Sequence, residues 1–502
     1  MTSRRSRFVG NTVSLAVATA VSTVLTLAQM KILAAYLPLA LFGLFASLRG
    51  LSLLVSILAA NGFPQALVRF LPEHAARGQR GVAVRASVIA VTATLGAGVI
   101  MLVAMYAMRA VFFRQVPAGE LGTPLFLWFS VTTLAVALKL VLYGGFNGLR
   151  RFGSQTVLET LALAVQAAWM WQERGSLDLL RMFQIVGLTS AVSALVAVPW
   201  YAARLSSDVQ TGEAQPATTS YGGYWAGAVG LSVVALAFSD VDRWVLSNVL
   251  ALEVLSLFHV ASRIVRLANR FIAVPVLTLQ PEITRIRAEG RGEEVNLVTG
   301  AFFKASVMMG AFAAAGIVAC ANPLIEIASG REFLGAHATL ILMAASIPLT
   351  AMTAPLTAVM KALDGVRAAF YCDLAWACVY VALMLLFASS LGLVGTGWAQ
   401  LAASAVQFGV ALRLATVRPR GADAFATLVR SVLCAVVAFL PAWWLFHARV
   451  SIALPIAALV AATPVFVGLA RRVHILNDAE RERVRAVLAR RGVGPALMWF
   501  VP

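Results

Sequence analysis

Apolar stretches long enough to cross a bilayer recur from one end of this 502-residue chain to the other. A helix needs about 20 apolar residues to span the hydrocarbon core. About fourteen segments meet that length: residues 9–36, 39–62, 83–108, 124–147, 155–172, 182–203, 222–248, 252–280, 298–321, 337–360, 369–389, 392–415, 426–446 and 451–470. Hydrophobic residues make up 60% of the chain and charged residues only 12%, more apolar surface than a soluble fold of this size can hide. The expected fold class is an all-α polytopic membrane protein.

The net charge of +18 sits mainly in loops, and it alternates along the chain. One set of loops holds Arg4, Arg5 and Arg7, then Arg69, Arg77, Arg80 and Arg85, then Arg150 and Arg151, Arg285, Arg287 and Arg291, Lys361 and Arg367, Arg418 and Arg420, and the basic tail. The other set holds only Arg109, Arg114, Arg174, Arg331 and Arg449. Positive charge gathers on the cytoplasmic side, so both termini are expected there. A nucleic-acid partner would call for basic residues clustered on a soluble domain, and none is expected. The basic start runs into an apolar segment too long for a signal-peptide core, which reads as an uncleaved first span. Cys320, Cys372, Cys378 and Cys434 all lie in apolar segments without metal-ligand spacing and read as small hydrophobes, so no metal site and no cofactor are expected.

The only long polar linker is Ser206 to Ser220. It divides the chain into an expected N-lobe (1–205, spans 1–6), a cytoplasmic linker (206–220) and a C-lobe (221–415, spans 7–12). Two extra spans (416–470) and a cytoplasmic basic tail (471–502) follow. An internal repeat supports the division. Asn147-Gly-Leu-Arg150 is echoed by Asp364-Gly-Val-Arg367, Pro72-Glu73 by Pro281-Glu282, and Arg49 by Arg263. Six spans separate each pair, so the two lobes are expected as a parallel repeat, one of the transporter plans. In the tail, Asn477 with Glu480 and Gly492 suits a short helix resting on anionic lipid.

The polar residues inside the spans carry the functional reading. His259, Arg263, Arg266 and Arg270 fall at i, i+4, i+7 and i+11, on one helix face. Three arginines facing lipid would cost about 8–10 kcal/mol on insertion scales, so this face is expected to line a wet cavity that receives an anionic group. Arg49 with Ser52 and Ser56 forms a second polar stripe, Thr12, Thr19, Thr23 and Thr26 a third, and Ser232, Ser239 and Arg243 a fourth. In a two-lobed bundle such faces would meet at a central cleft. Arg49, Arg243, Arg263, Arg266 and Arg270 are the candidate substrate-binding set, because the arginine fork matches phosphate oxygens. The alternative is that acids pair with them to fix helix packing. Asp240 and Asp242 are candidates either for a coupling cation (H+ or Na+) or for salt bridges to these arginines. Lys139 and Glu159 are a candidate pair at similar depth, and His259 is a candidate titrating group. Lys31, Lys304 and Asp373 are expected to snorkel from span ends. There is no Walker A loop, no HExxH and no nucleophile-triad signature. The outer loops are short, so no catalytic residue is expected.

The opening, Asn11 through Lys31-Ile-Leu-Ala-Ala-Tyr-Leu-Pro-Leu-Ala-Leu-Phe-Gly-Leu-Phe45, with Gly62 and Arg69-Phe-Leu-Pro-Glu73, resembles the polysaccharide transporter (oligosaccharide flippase) family. That family belongs to the multidrug/oligosaccharidyl-lipid/polysaccharide exporter superfamily. The resemblance implies an alternating-access bundle in a bacterial inner membrane that moves a polyprenyl-pyrophosphate-linked oligosaccharide outward for O-antigen, capsule or exopolysaccharide assembly. It implies membrane lipids, a polysaccharide polymerase and chain-length machinery as partners. Three other readings stand beside it. An ion-coupled multidrug exporter would want acids to dominate the cleft. A lipid II flippase usually carries Asp-Ala-Phe where this chain has Leu41-Phe42-Gly43. A membrane glycosyltransferase or ligase would need a catalytic outer loop.

Overall fold

The computed structural model describes residues 21–76, 78–114, 116, 122–149, 151–208, 229–230, 241–288, 292–363, 366–417, 421–448, 453–476 and 482. It is all-helical over these residues. In chain order the helices are α1 (Val21–Tyr36), α2 (Leu39–Ala60), α3 (Phe63–Ala76), α4 (Arg80–Ala107), the single turn α5 (Arg109–Phe112), α6 (Thr123–Gly148), α7 (Phe152–Gln172), α8 (Leu179–Asp208) and α9 (Val241–Leu246). They continue with α10 (Leu252–Ala288), α11 (Gly292–Ala319), α12 (Ala321–Ala328), α13 (His337–Ala345), α14 (Ile347–Leu363), α15 (Val366–Leu391), α16 (Leu393–Leu414), α17 (Gly421–His447) and α18 (Ala453–Arg472). Nine helical segments among the described residues are long and apolar enough to cross a membrane. The chain is a multi-pass membrane protein.

The boundaries follow local chemistry. Asn61, in the left-handed region at φ 45°, caps α2 with its N–H on the Ile57 carbonyl, and Gly62 follows at φ 76°. Gly392, at φ 62°, turns the chain between α15 and α16, where only glycine is unstrained. Guanidinium groups stack on aromatic rings where helices end: Arg109 lies 5.3 Å from the Tyr106 ring and Arg174 4.7 Å from that of Trp171. Amphipathic rings take this position at a membrane–water boundary. The expected span 252–280 is part of a longer helix, because α10 runs on through positions 275 and 281, both proline, to Ala288. The expected span 337–360 falls within one apolar segment, Arg331–Leu363, with a turn at Ser346 between α13 and α14.

The chain forms two compact units, Ser14–Ser256 and Leu257–Pro502. The first therefore continues past the polar linker and takes in α9 and the first turn of α10. Its core joins Leu67 and Leu71 of α3, Ala83 and Ala90 of α4, Val141 and Phe146 of α6, Leu158 of α7, and Ala197 and Tyr201 of α8. At one end Arg151 grips Asp208 through two hydrogen bonds, Nε to Oδ2 at 2.9 Å and Nη2 to Oδ1 at 2.8 Å, tying the start of α7 to the end of α8. That bond is the largest cause holding Arg151 above its ordinary guanidinium value. In the second unit, Val276, Leu279 and Ile283 of α10 pack with Val295 and Phe302 of α11 and Val359 of α14. The two extra helices, α17 and α18, pack on α11 through Phe312, Phe439 and Phe466, with ring centroids 4.9 and 5.2 Å from Phe312.

The repeat read in the sequence recurs in the helices themselves. Start positions pair as Leu39 with Leu252, Phe152 with Val366 and Leu179 with Leu393, at nearly constant separation. The linker beyond Asp208, and the tail from 477 except residue 482, lie outside the described residues.

Candidate functional site

The continuous helix α10 carries the cationic stripe as one surface. His259, Arg263 and Arg266 are half-buried and Arg270 is exposed, while the intervening Phe258, Val260, Ala261, Ile264 and Val265 are buried. The packed face is thus apolar and the open face basic. Glu253 is the one acid in the first seven turns of this helix, so along the helix itself basic residues outnumber acidic ones.

In the first unit Arg49 is half-buried between the buried Leu48 and Gly50. The rest of its expected stripe does other work. The Ser52 and Thr133 hydroxyls share a hydrogen bond at 2.9 Å, and Ser56 Oγ donates to the Ser52 and Thr133 carbonyls at 2.7 and 2.9 Å. Both serines are fully enclosed between α2 and α6. They correct the reading of this stripe as a cleft wall: a hydroxyl inside a helix packs wherever a neighbouring carbonyl or hydroxyl satisfies it. Thr23 and Thr26 are also buried, while Thr12 and Thr19 lie outside the described residues.

Lys139 on α6 donates to Ser190 Oγ on α8 at 3.4 Å. Glu159, exposed on α7, and Arg49 both lie close enough for their charges to act on Lys139. The structure brings these three into one neighbourhood inside the first unit.

Among the described residues Arg243 is the largest side chain that is completely enclosed, and Asp242 beside it is buried as well. Ser232, Ser239 and Asp240 lie outside the described residues. The segment carrying Arg243 is docked firmly on α2. Ser47 Oγ donates to Ser247 Oγ at 2.8 Å. A Cβ at Gly43 would fall inside the Leu252 carbonyl oxygen and 2.8 Å from the carbonyl carbon. The Trp244 ring stacks on Phe112 at 6.0 Å and its Nε1 donates to the Phe112 carbonyl at 3.4 Å.

Two polar groups were missed. Gln29 Nε2 donates to the Leu163 carbonyl at 2.9 Å and to Gln166 Oε1 at 3.4 Å, and Gln166 in turn donates to Thr189 Oγ1 at 2.8 Å, binding α1, α7 and α8. Glutamines inside apolar runs were the available signal. Asp373, expected to snorkel, instead accepts a hydrogen bond from Gln407 Nε2 at 3.0 Å, since α16 brings an amide donor within reach. Cys378 is exposed, unlike the three buried cysteines. Among the described residues no group of three or more His, Cys, Asp or Glu is placed to hold a metal ion.

No family model matches the chain, and no curated protein does. Its fold is nonetheless that of the MOP-superfamily transporters. It is similar to lipid II flippase MurJ in an inward closed conformation, with 12% identity over 91% of this chain and 98% of that one, and a TM-score of 0.66. It is similar to an inward-facing MATE-family multidrug resistance transporter of the same superfamily, with 16% identity over 79% of this chain and 95% of that one, at 0.61. A third likeness is to a MOP-superfamily transporter from Pyrococcus furiosus described by the reverse polarity of its binding pocket, with 15% identity over 83% and 97%, at 0.58.

Proposed function

We propose that this protein is a flippase of the bacterial inner membrane that moves a lipid-linked oligosaccharide with a pyrophosphate head from the cytoplasmic to the outer leaflet. The products would enter O-antigen, capsule or exopolysaccharide assembly, with a polysaccharide polymerase and chain-length machinery downstream. The carrying observation is the basic open face of α10, with Arg263, Arg266 and Arg270 along one continuous helix, in a fold found in transporters. Planar guanidinium groups suit phosphate oxygens; within the first unit, Arg49 is a half-buried cation. Arg243, being enclosed, serves this reading as a positioning charge. A head group moving as about two negative charges would gain roughly 4–5 kcal/mol from an inside-negative potential of ~100 mV.

The likeness to a lipid II flippase favours one second reading, in which the cargo is the peptidoglycan precursor. Deletion of the gene, complemented with wild type or with Arg263, Arg266 and Arg270 changed together to alanine, separates the cases. Lipid-linked oligosaccharide trapped in the cytoplasmic leaflet and rescued only by wild type supports the proposal. Trapped lipid II supports the second reading. Full rescue by the triple variant makes the stripe structural, and normal surface polysaccharide with no trapped precursor refutes flipping.

A further inference from the structure

The repeat places two carboxyls at the same position of the same helix. Glu159 is seven residues after the start of α7 at Phe152, and Asp373 is seven after the start of α15 at Val366. Each therefore lies about 10 Å along its helix. The following helices keep the register. Ser193 and Gln407 each stand fourteen residues after the starts of α8 and α16, at Leu179 and Leu393. In the second unit this register produces the contact already described, Gln407 on Asp373. In the first unit Tyr143 of α6 lies beside both Glu159 and Ser193.

Each carboxyl also has one lysine from the preceding helix near it: Lys139 of α6 near Glu159, and Lys361 of α14 near Asp373. Lys139 gives its hydrogen bond to Ser190 rather than to Glu159, and Asp373 takes its hydrogen bond from Gln407 rather than from Lys361. Each lysine therefore lies near its acid without being hydrogen-bonded to it. The other charged groups on helices packed against these two are Lys31 of α1 and Arg181, Arg204 and Asp208 of α8 for Glu159, with Arg49 of α2 also acting on Lys139, and Arg413 of α16 for Asp373. Glu173 and Arg367 belong to the ends of their own helices or the flanking residues. The donor set does not suit a metal ion. Each site offers one carboxylate and a lysine, and the second adds an amide presenting its N–H, whereas Na+ or Ca2+ needs several converging oxygens.

We propose that Glu159 and Asp373 are equivalent proton-binding carboxyls, one in each unit, and that their protonation is coupled to transport. The coupling rests on the transporter reading, whereas the proton binding does not. Asp373 lies in an apolar span, where an acid is costly unless it serves such a purpose, and the duplicated position makes Glu159 its counterpart in the first unit. Each carboxylate takes up one proton and becomes a neutral acid, with Gln407 still donating to the carbonyl oxygen of Asp373.

The full chain, reconstituted in vesicles of phosphatidylethanolamine and phosphatidylglycerol, is titrated by infrared difference spectroscopy for the C=O band of protonated carboxyls. Two components are expected. Asp373→Asn removes one, Glu159→Gln removes the other, and Asp373→Glu moves the first without abolishing it. Bands unchanged in both amide variants overturn the proposal, as does a band displaced by Na+ at fixed pH. If Asp373→Asn does not fold, Asp373→Glu decides alone: an unmoved band refutes the assignment. Transport of a lipid-linked oligosaccharide is then followed against pH. A flattened profile with unchanged substrate affinity is expected for Asp373→Asn, and a wild-type profile in both amide variants refutes the coupling. Wild-type protein that titrates but moves no such lipid refutes the flippase reading and leaves the proton sites standing.

Discussion

Replacing Gly43 by alanine should loosen the contact between α2 and the segment that leads into α10. The new Cβ would stand 2.8 Å from the Leu252 carbonyl carbon and closer still to its oxygen. Both are backbone atoms of a helix start, so no rotamer change relieves the clash. Carbon contacts are optimal near 3.5–4.0 Å, so Leu252 must retreat by about 1 Å. The Ser47–Ser247 hydrogen bond, one helical turn along α2 from Gly43, spans 2.8 Å. The same retreat carries it to about 3.8 Å, past the limit of a hydrogen bond. The lost bond costs roughly 0.6 kcal/mol, at most about 1.7, inside a membrane protein, and the forced fit adds about 1–3 kcal/mol. Ser47→Cys with Ser247→Cys gives the assay, because a disulfide tolerates only a narrow range of Cβ separation. Oxidative cross-linking in membranes should be rapid while Gly43 is kept and strongly slowed once Gly43→Ala is added. Melting of the purified Gly43→Ala protein should fall as well. Equal cross-linking and melting in the two backgrounds would refute the argument that close backbone approach at Gly43 sets this contact.

Gly395→Ala meets the Phe387 backbone, with its Cβ 2.5 Å from the carbonyl carbon and 2.9 Å from the Phe387 Cβ. It should destabilise the α15–α16 hairpin by about 1–3 kcal/mol, read as a lowered melting temperature with Gly409→Ala, which meets nothing within 4 Å, as the control. Arg151→Ala releases the two-pronged grip on Asp208. Both partners are partly exposed, 40% and 22%, so the loss should stay below about 1 kcal/mol and shrink further in high salt, as a thermal melt at two salt concentrations would show. Because Arg151 is held above its ordinary value, its share of that stability is complete below the unfolded guanidinium range and is lost only at more alkaline pH.

Much of the membrane architecture was legible because it rests on length and hydropathy. Fixed helical spacing likewise puts His259, Arg263, Arg266 and Arg270 on one face from the sequence alone. What escaped depends on contacts between helices. Ser52 and Ser56 look like a polar stripe beside Arg49, yet a hydroxyl carries no sign of whether it meets water or the Thr133 carbonyl. Asp373 was misread for a similar reason: its distance from the span end suggested the surface, while its partner Gln407 lies 34 residues away. Glycines such as Gly43 gave no warning, since close approach is a property of the partner backbone.

The 37 residues of α10 reach about 55 Å, nearly twice the ~30 Å hydrocarbon core. Even at a tilt of about 40°, the steep end of the range for membrane helices, the core would enclose only about 40 Å of that length. Roughly ten residues must therefore stand outside the hydrocarbon core. The sequence favours the far end for this, since Glu282, Arg285 and Arg287 crowd the last turns of the helix. A single continuous helix thus runs from the arginine stripe past the edge of the hydrocarbon core with no loop between them. A dye attached in those last turns would ride on the same helix as Arg263, Arg266 and Arg270, a periscope for movements that take place at membrane depth.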